Sequence, residues 1–485
     1  MSREIRPDYS QEFLLPPSIE DWLPAEHPAR FVRDFVDSLD LVELGFRDEA
    51  QHQGRPRYSD ELLLKVWILG YFNEIRSSRK LERACREMVG FIWLTTMNAP
   101  DHNTLWRFLS RQEDAIKSLF AQTAVLAQQS GLLGMKTHAL DGTKIKGRGS
   151  RNAVVRKRAL ERALAAEEAR IAEFMESVKQ AEDEEDGQYQ LKGDLADCVE
   201  RKRVIQEHLE DLEAIKREAK QTTDPEAREQ KCGDGKHFGY NAQVVIDVES
   251  GVVVAADVTN DQNDMQQLEP MTSQVKENLG ATAEETLADS GYVTLRQMGE
   301  VHAQGINATL NLPSKYIGDR EKSPFHTCFF KYDEKRNVVI CPIGKELVSN
   351  GTKRARWDTY MNRVFRCPFA KHCPEKSRCC PNARTRTILI SPFHKALEAQ
   401  RKKATDSDTQ TRLLRLRPHV EHFFGQHKGN SEFRRFSGWG LSGARLQWFL
   451  LCLVHNLKKI RAALLASTPS PSATPPFSRV SAVAA

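Results

Sequence analysis

Two acidic residues far apart in the chain each close a short apolar stretch: Asp141 ends Leu132–Asp141 ahead of Gly-Thr-Lys, and Asp289 ends Thr286–Asp289 ahead of Ser-Gly-Tyr. A strand end is rigid and opens onto a cleft, which suits a carboxylate that must hold a fixed position. A third acidic residue, Glu421, lies in Arg417-Pro-His-Val-Glu-His-Phe-Phe-Gly-Gln-His-Lys428. Arg417, Glu421 and Lys428 recur at four and seven residues, so a helix would present them on one face. Hard cations such as Mg²⁺ take carboxylate oxygens, and two ions ~4 Å apart can activate a water or a 3′-hydroxyl and stabilise the leaving oxygen at a phosphodiester. Arg417 and Lys428 beside the carboxylate, with Lys144 and Lys146 just past the first Asp, would supply phosphate contacts. The same spacings also describe an ordinary surface ion-pair ladder and a plain Asp-Gly turn, and the residues alone leave both readings open.

A second constellation is made of thiols. Six of the ten cysteines fall at 328, 341, 367, 373, 379 and 380. In a reducing compartment such clustering favours metal thiolates over disulfides. The best set is Cys341, Cys367, Cys373 and one of Cys379 or Cys380, with His372 as an outside candidate, for a structural Zn²⁺. The C-x5-C-x5-C spacing is looser than the C-x2-C of most zinc ribbons, so buried free cysteines in an irregular subdomain are the alternative. Neither HExxH nor H-x-E…C-x2-C occurs, and no catalytic zinc is expected.

The elements that must carry these residues can be read along the chain. The first ~130 residues have helical apolar spacing, at Asp60–Tyr71, Ser78–Met88 and Asn103–Phe120. Asp101-His-Asn-Thr before Leu105-Trp-Arg-Phe outlines a capped recognition helix bearing Arg107, and Arg55, Arg57, Arg76, Arg79 and Lys80 suit duplex DNA. A dimerisation or packing domain is the alternative. From about 155 to 222 the chain is rich in Glu, Lys, Arg, Ala and Leu; Leu164, Ile171 and Val178, then Cys198, Ile205 and Leu212, repeat at seven residues on either side of Gly187 and Gly193. That pattern predicts an antiparallel helical hairpin. Beyond Pro225 the character changes: two apolar strands, Tyr240–Val248 and Val252–Val258, flank a tight Gly turn. A helix from Asp264 to Leu279, the strand ending at Asp289, a helix from Thr294 to Gln304 and a strand from Asn307 to Leu312 follow. Paired strands followed by alternating helices and strands indicate an α/β domain with a mixed sheet. The pattern breaks up between 315 and 395, basic helices return at Thr411–Lys428 and Ala444–Leu465, and the Pro/Ser/Ala-rich end reads as disordered.

The 485 residues, 40% hydrophobic and 28% charged, suit several buried cores and exclude collagenous, membrane and wholly disordered chains. No run reaches the ~18 apolar residues of a membrane span and the start lacks a secretion signal's apolar core, so a cytoplasmic protein is expected. The net charge of +5 hides a division: residues 161–190 hold ten acidic and three basic side chains, net −7, whereas 401–460 hold twelve basic and four acidic, net +8. Local potential recruits polyanions, so the positive segment around Glu421 points to nucleic acid.

Asp141-Gly-Thr-Lys, Gly239-Tyr-Asn-Ala-Gln-Val, Ala256-Asp-Val-Thr-Asn-Asp-Gln-Asn-Asp264, Leu287-Ala-Asp-Ser-Gly-Tyr292 and Val420-Glu-His-Phe-Phe-Gly-Gln-His-Lys428 occur in that order, followed by Phe433-Arg-Arg-Phe436 and Leu451–Leu457. Over residues ~10–462 this series resembles the bacterial DDE insertion-sequence transposases, in the branch with a coiled-coil-like insertion after the first Asp and a Cys cluster before the Glu. The resemblance implies an RNase H-like mixed-sheet core in which Asp141, Asp289 and Glu421 form the catalytic triad and hold Mg²⁺ or Mn²⁺, with 240–258 supplying the second and third strands. Arg417, Glu421 and Lys428 match the family's Tyr-x2-Arg-x3-Glu-x6-Lys signature, while Leu414 stands where Tyr is usual and Val364 where relatives often carry a Cys. The implied division is a helical N-terminal DNA-binding domain (1–130), a core (131–150 and 231–314), a hairpin insertion (151–230), a Cys-rich and candidate zinc-binding insertion (315–395), a C-terminal catalytic helix with basic helices (396–466) and a disordered tail (467–485). The implied activity is cleavage at element ends and strand transfer into duplex target DNA by a homodimer. A catalytically silent DNA-binding descendant, or a nuclease without strand transfer, is the alternative; terminal inverted repeats flanking the gene would speak against the first, and a joined product in an integration assay against the second.

Overall fold

The computed structural model describes residues 18–46, 57–182, 193–232, 235–356, 358–430 and 432–467. Arg55, Gly187, the segment 468–485 and the side chains of Leu414, Arg417 and Val178 lie outside the described residues.

The centre is a mixed sheet whose order is set by one long strand. We label its main strands β1 (Thr137–Lys146), β2 (Gly235–Asp247), β3 (Val253–Thr259), β4 (Glu285–Ala288) and β5 (Ala308–Leu310). β1 pairs antiparallel with β2, from His138 opposite Asp247 to Lys146 opposite Gly239, and parallel with β4, from Thr137 opposite Glu285 to Leu140 opposite Ala288. β3 is antiparallel to β2 and β5 parallel to β4, giving the order β3-β2-β1-β4-β5, with a short strand, Arg228–Cys232, beside the start of β2. This mixed α/β arrangement is compatible with the RNase H-like core that the resemblance implies. The β2–β3 turn contains Gly251 at φ +71°, a left-handed conformation that glycine adopts without strain.

Side-chain amides bond to the outer edges of β3 and β5. On β3, Asn456 Oδ1 accepts from Val253 N at 2.8 Å and Asn456 Nδ2 donates to Val253 O at 2.8 Å. On β5, Gln400 Oε1 accepts from Leu310 N at 3.1 Å and Gln400 Nε2 donates to Ala308 O at 2.7 Å. Buried backbone groups need such partners, and here two helices provide them.

Between Ile19 and Gln129 the described elements are helices. Helix Asp60–Phe72 starts at Ser59, whose side chain accepts from Leu62 N, and Trp67 Nε1 donates to the buried carbonyl of Leu105 at 3.0 Å. The stretch expected as one helix, Asn103–Phe120, is two, His102–Leu109 and Glu113–Gln129, parted at Ser110-Arg-Gln. Asp101 caps the first, accepting from Asn103 N at 2.9 Å and Thr104 N at 3.0 Å. One apolar core runs through these helices, β1–β3 and the C-terminal helix Gly440–Ser467, and Phe120 stacks on Phe449 with ring centroids 6.2 Å apart. Burying each such side chain stabilises the fold by about 1.5–3 kcal/mol, so the N-terminal helices are fastened to the sheet by the C-terminal helix.

Helices Lys157–Glu182 and Gly193–Ala214 leave and rejoin the core through a two-stranded ribbon, Val154–Arg156 antiparallel to Ala219–Gln221. The cysteine-bearing segment is more regular than expected. Five strands, Lys331–Asp333, Val338–Ile340, Glu346–Arg354, Met361–Arg366 and Thr387–Ile390, form an antiparallel meander over a small core that includes Phe325, Phe330 and Phe365. Cys341, Cys367 and Cys379 pack against that core. Among the described residues, no helix is long and apolar enough to cross a membrane.

Candidate active site

Asp141 does not end its strand. It lies in the middle of β1, one residue beyond the last parallel pair, Leu140 opposite Ala288. The Asp-Gly turn signal is overridden because the long β2 keeps pairing with β1 as far as Lys146. Asp289 directly follows β4 and caps a short 3-10 turn, accepting from Gly291 N at 2.7 Å. The two carboxylates therefore emerge where β1 and β4 part, the point at which a sheet opens a crevice.

A third carboxylate sits with them, and it was not singled out from the sequence as a site residue. Asp264, on the loop between β3 and helix Leu268–Leu279, acts electrostatically on Asp141 together with Asp289. Burial, with the charges of Asp289 and Asp264 added, pushes the Asp141 carboxyl up to about 7, against the opposing effects of the Gly142 N–H and Lys144. The Gly142 amide donates to Asp141 Oδ1 at 2.7 Å. A methyl group on Gly142 would lie 2.3 Å from Gln243 Nε2 and 2.9 Å from Asp264 Oδ1, so it would have to displace the bonded ends of these two side chains. Behind the carboxylates the buried Tyr292 hydroxyl donates to Gln243 Oε1. Its own ionisation is driven far upward by burial and then by Asp264, Asp141 and Asp289.

Glu421 lies exposed on helix Ser407–Gly425, which packs against β1 and β4. That helix runs on into a π-helical turn, Gln426–Asn430. Lys428, within this turn, donates from Nζ to the Lys144 carbonyl at 2.7 Å, which fixes the end of the Glu421 helix to β1. Behind it, His455 Nε2 meets the Gly251 carbonyl at 2.9 Å and its Nδ1 meets His427 Nε2 at 3.2 Å, and burial holds both imidazoles neutral, well below their usual range. Lys144 itself points to Asp264, with Nζ 3.1 Å from Oδ1. The Lys146 backbone bonds to Arg434 O at 3.2 Å and to Phe436 N at 2.9 Å, which brings the basic 434–435 pair beside the far end of β1. Of the sequence-derived candidates, then, Asp141, Asp289, Lys144, Lys146 and Lys428 gather around β1, with Glu421 on the adjoining helix. Arg107 does not: it lines a cavity of about 980 Å³ among the N-terminal helices, with Arg57, Arg86 and Arg111.

The donor set beside β1 is all oxygen and anionic, which fits a hard divalent cation. Among the described residues no three His, Cys, Asp or Glu side chains stand close enough to enclose an ion. In the cysteine meander, burial raises the Cys379 thiol to about 11 and also raises Cys367, which senses Cys341, Cys373 and Cys380.

Two family models match the chain: Transposase DDE domain over residues 340–461, which includes Glu421 and Lys428, and Transposase domain (DUF772) over residues 17–111. No curated protein and no solved structure matches it.

Proposed function

The chain belongs to the insertion-sequence DDE transposases, and from that premise we propose that it cuts DNA at the ends of its own element by metal-dependent water attack and joins the freed 3′-hydroxyl to target DNA. The observation that carries this reading is the meeting of Asp141 and Asp289 at the fork between β1 and β4, beside the helix that bears Glu421. These three residues would hold Mg²⁺ or Mn²⁺. When bound, the cation would activate the attacking oxygen and stabilise the leaving one.

The protein's own groups then do the positioning. Burial raises the Asp141 carboxyl to about 7, so a cation held there would favour its ionised form. Lys428, anchored on the Lys144 carbonyl, holds the Glu421 helix at a fixed height along β1 and, with Lys146, Lys144 and Arg417, contacts the scissile backbone. Rigid placement of these charges before DNA arrives is where most of the rate would come from. Arg107 and its neighbouring arginines would grip phosphates of the element end at a distance from the chemistry. Synapsis of two ends implies a homodimer in the working complex, in the cytoplasm of the host cell.

Asp141→Asn keeps the shape and removes the charge. Incubated with a plasmid carrying the element's own ends and Mg²⁺, the parent should give metal-dependent cleavage and joined product, and Asp141→Asn should bind DNA but give neither. Cleavage retained in Asp141→Asn would overturn the assignment. Nicking by the parent without joined product would reduce the activity to that of a nuclease.

A further inference from the structure

The helix that carries Glu421 has an apolar stripe that decides which side faces the core but not how high the helix sits. Leu413, Val420 and Phe423, at helical spacing, are buried in the core shared with β1–β3. A stripe of that kind could seat one turn, ~5.4 Å, higher or lower with similar contacts. A directional contact has to choose the height, and polar groups at both ends of the helix provide one.

At its start stands an ion pair. Glu285, the largely buried first residue of β4, accepts from Thr309 Oγ1 of β5 at 2.6 Å through Oε1 and from Arg412 Nη1 through Oε2. Arg412 is held in turn: Nη2 donates to Thr409 Oγ1 at 3.0 Å, and Nε lies 3.1 Å from Asp408 Oδ2. Thr409 is bonded to the capping Asp406, whose Oδ2 accepts from Thr409 N at 3.0 Å and Thr409 Oγ1 at 2.8 Å. At the far end, Lys428 Nζ donates to the Lys144 carbonyl at 2.7 Å.

These two anchors mark off the same length on both elements. Glu285 pairs with Thr137, so along β1 the anchors lie at Thr137 and Lys144, seven residues or ~23 Å apart. Along the helix they lie at Arg412 and Lys428, sixteen residues or ~24 Å apart. The helix therefore runs beside β1 in the same direction. Glu421 is nine residues beyond Arg412, ~14 Å; Asp141 is four beyond Thr137 and Asp289 four beyond Glu285, ~13 Å each. Measured from the ion pair, the three acidic residues reach one height. A slip of one turn would carry Glu421 ~5.4 Å out of level, more than two Mg–oxygen bonds of ~2.1 Å.

We propose that the Arg412–Glu285 pair is the register stop of this helix: both are positioning residues that act through Glu421, setting it level with Asp141 and Asp289. This rests on the reading of Glu421 as a metal ligand. A charged pair taken largely out of water adds little net stability, and fixing one register among similar ones is the best-attested use of such pairs.

The test is Mn²⁺ titration calorimetry on the DNA-free full-length protein, a readout independent of turnover. Arg412→Met should weaken Mn²⁺ binding by about 10- to 100-fold, the range associated with losing an outer-shell partner. Glu421→Gln should weaken it at least as much. Adding Arg412→Met to Glu421→Gln should cost less than about threefold more, because a displaced carboxylate and a missing one are the same loss. Arg412→Lys, which keeps the charge, should bind more tightly than Arg412→Met. Parental affinity in Arg412→Met, losses that multiply in the double variant, or Arg412→Lys no better than Arg412→Met would each overturn the proposal. Should Arg412→Met fail to fold, Glu285→Gln, which keeps the partner's shape and removes its charge, replaces it in the cycle with Glu421→Gln and is judged by the same non-additivity. If Glu421→Gln alone binds Mn²⁺ as the parent does, the metal-ligand reading falls first and the proposal with it.

Discussion

Replacing Asn456 by Leu should show how firmly the central sheet is held by the C-terminal helix. The side chain is fully buried and makes three hydrogen bonds: with Val253 N and Val253 O, each at 2.8 Å, and with Thr123 Oγ1 at 3.1 Å. Leu fills a similar volume, so little cavity is created and the loss is mainly polar. Two backbone groups at the sheet edge are then buried without partners, at about 1–3 kcal/mol each, and the total is about 4 kcal/mol. Thr123 keeps its own bond to Phe120 O at 2.7 Å and adds little. With ~2–4 °C per kcal/mol for domains of 150–250 residues, the melting midpoint should fall by roughly 10 °C. Thr123→Val, which removes one bond and strands no backbone group, should cost only about 1 kcal/mol. The assay is denaturant and thermal unfolding of both variants beside the parent, with hydrogen exchange at the Val253 amide as the local readout. If Asn456→Leu stays within about 1 kcal/mol of the parent, the edge is satisfied some other way and the reasoning fails.

Three more outcomes can be checked. Gly142→Ala should greatly reduce cleavage while the protein stays folded, because the added methyl meets Gln243 and Asp264; parental activity would show that the crevice yields. Burial lowers His138 from the ordinary histidine value of 6.5 to about 4, so the unfolded chain takes up its proton first as pH falls. The contribution is intact above pH 6.5, is lost between there and about 4, and amounts to about 3 kcal/mol, so His138→Gln should flatten the stability profile in that window. Unfolding midpoints measured from pH 7 to 4 decide this, and an unchanged slope in the variant refutes it. Finally, Arg107→Ala should weaken DNA binding across sequences and reduce the salt slope of log K by about one unit, measured by fluorescence anisotropy at several ionic strengths.

What could be read from the sequence divides along physical lines. Local signals were legible: Asp101 as a helix cap, the β2–β3 hairpin around Gly251, and the carboxylates Asp141 and Asp289 beside apolar runs. Asp141 as a strand terminus was not correct, because only the partner strand, nearly a hundred residues later, reveals that β1 continues through Thr143 and Lys144. The same distance hid Asp264. It stands in a polar loop with no period, and what marks it is a lysine 120 positions away. The cysteine meander was missed because its strands are thinly buried; in Glu346–Arg354 only Leu347 is fully covered, so little hydrophobic alternation is left to see. The core shared by Trp67, Phe120 and Phe449 was likewise out of reach, since periodicity tells which face of a helix is apolar but not which element will cover it.

The amides bonded to β3 and β5 also limit how another strand can pair with them. An open strand edge is a template for any other strand, its own kind included. Here Gln400 occupies the three-residue edge of β5, while Asn456 at Val253 and Arg445, donating to Val258 O at 3.0 Å, interrupt the edge of β3 at two points along its length. Neither of these two edges therefore offers another strand a free run of backbone.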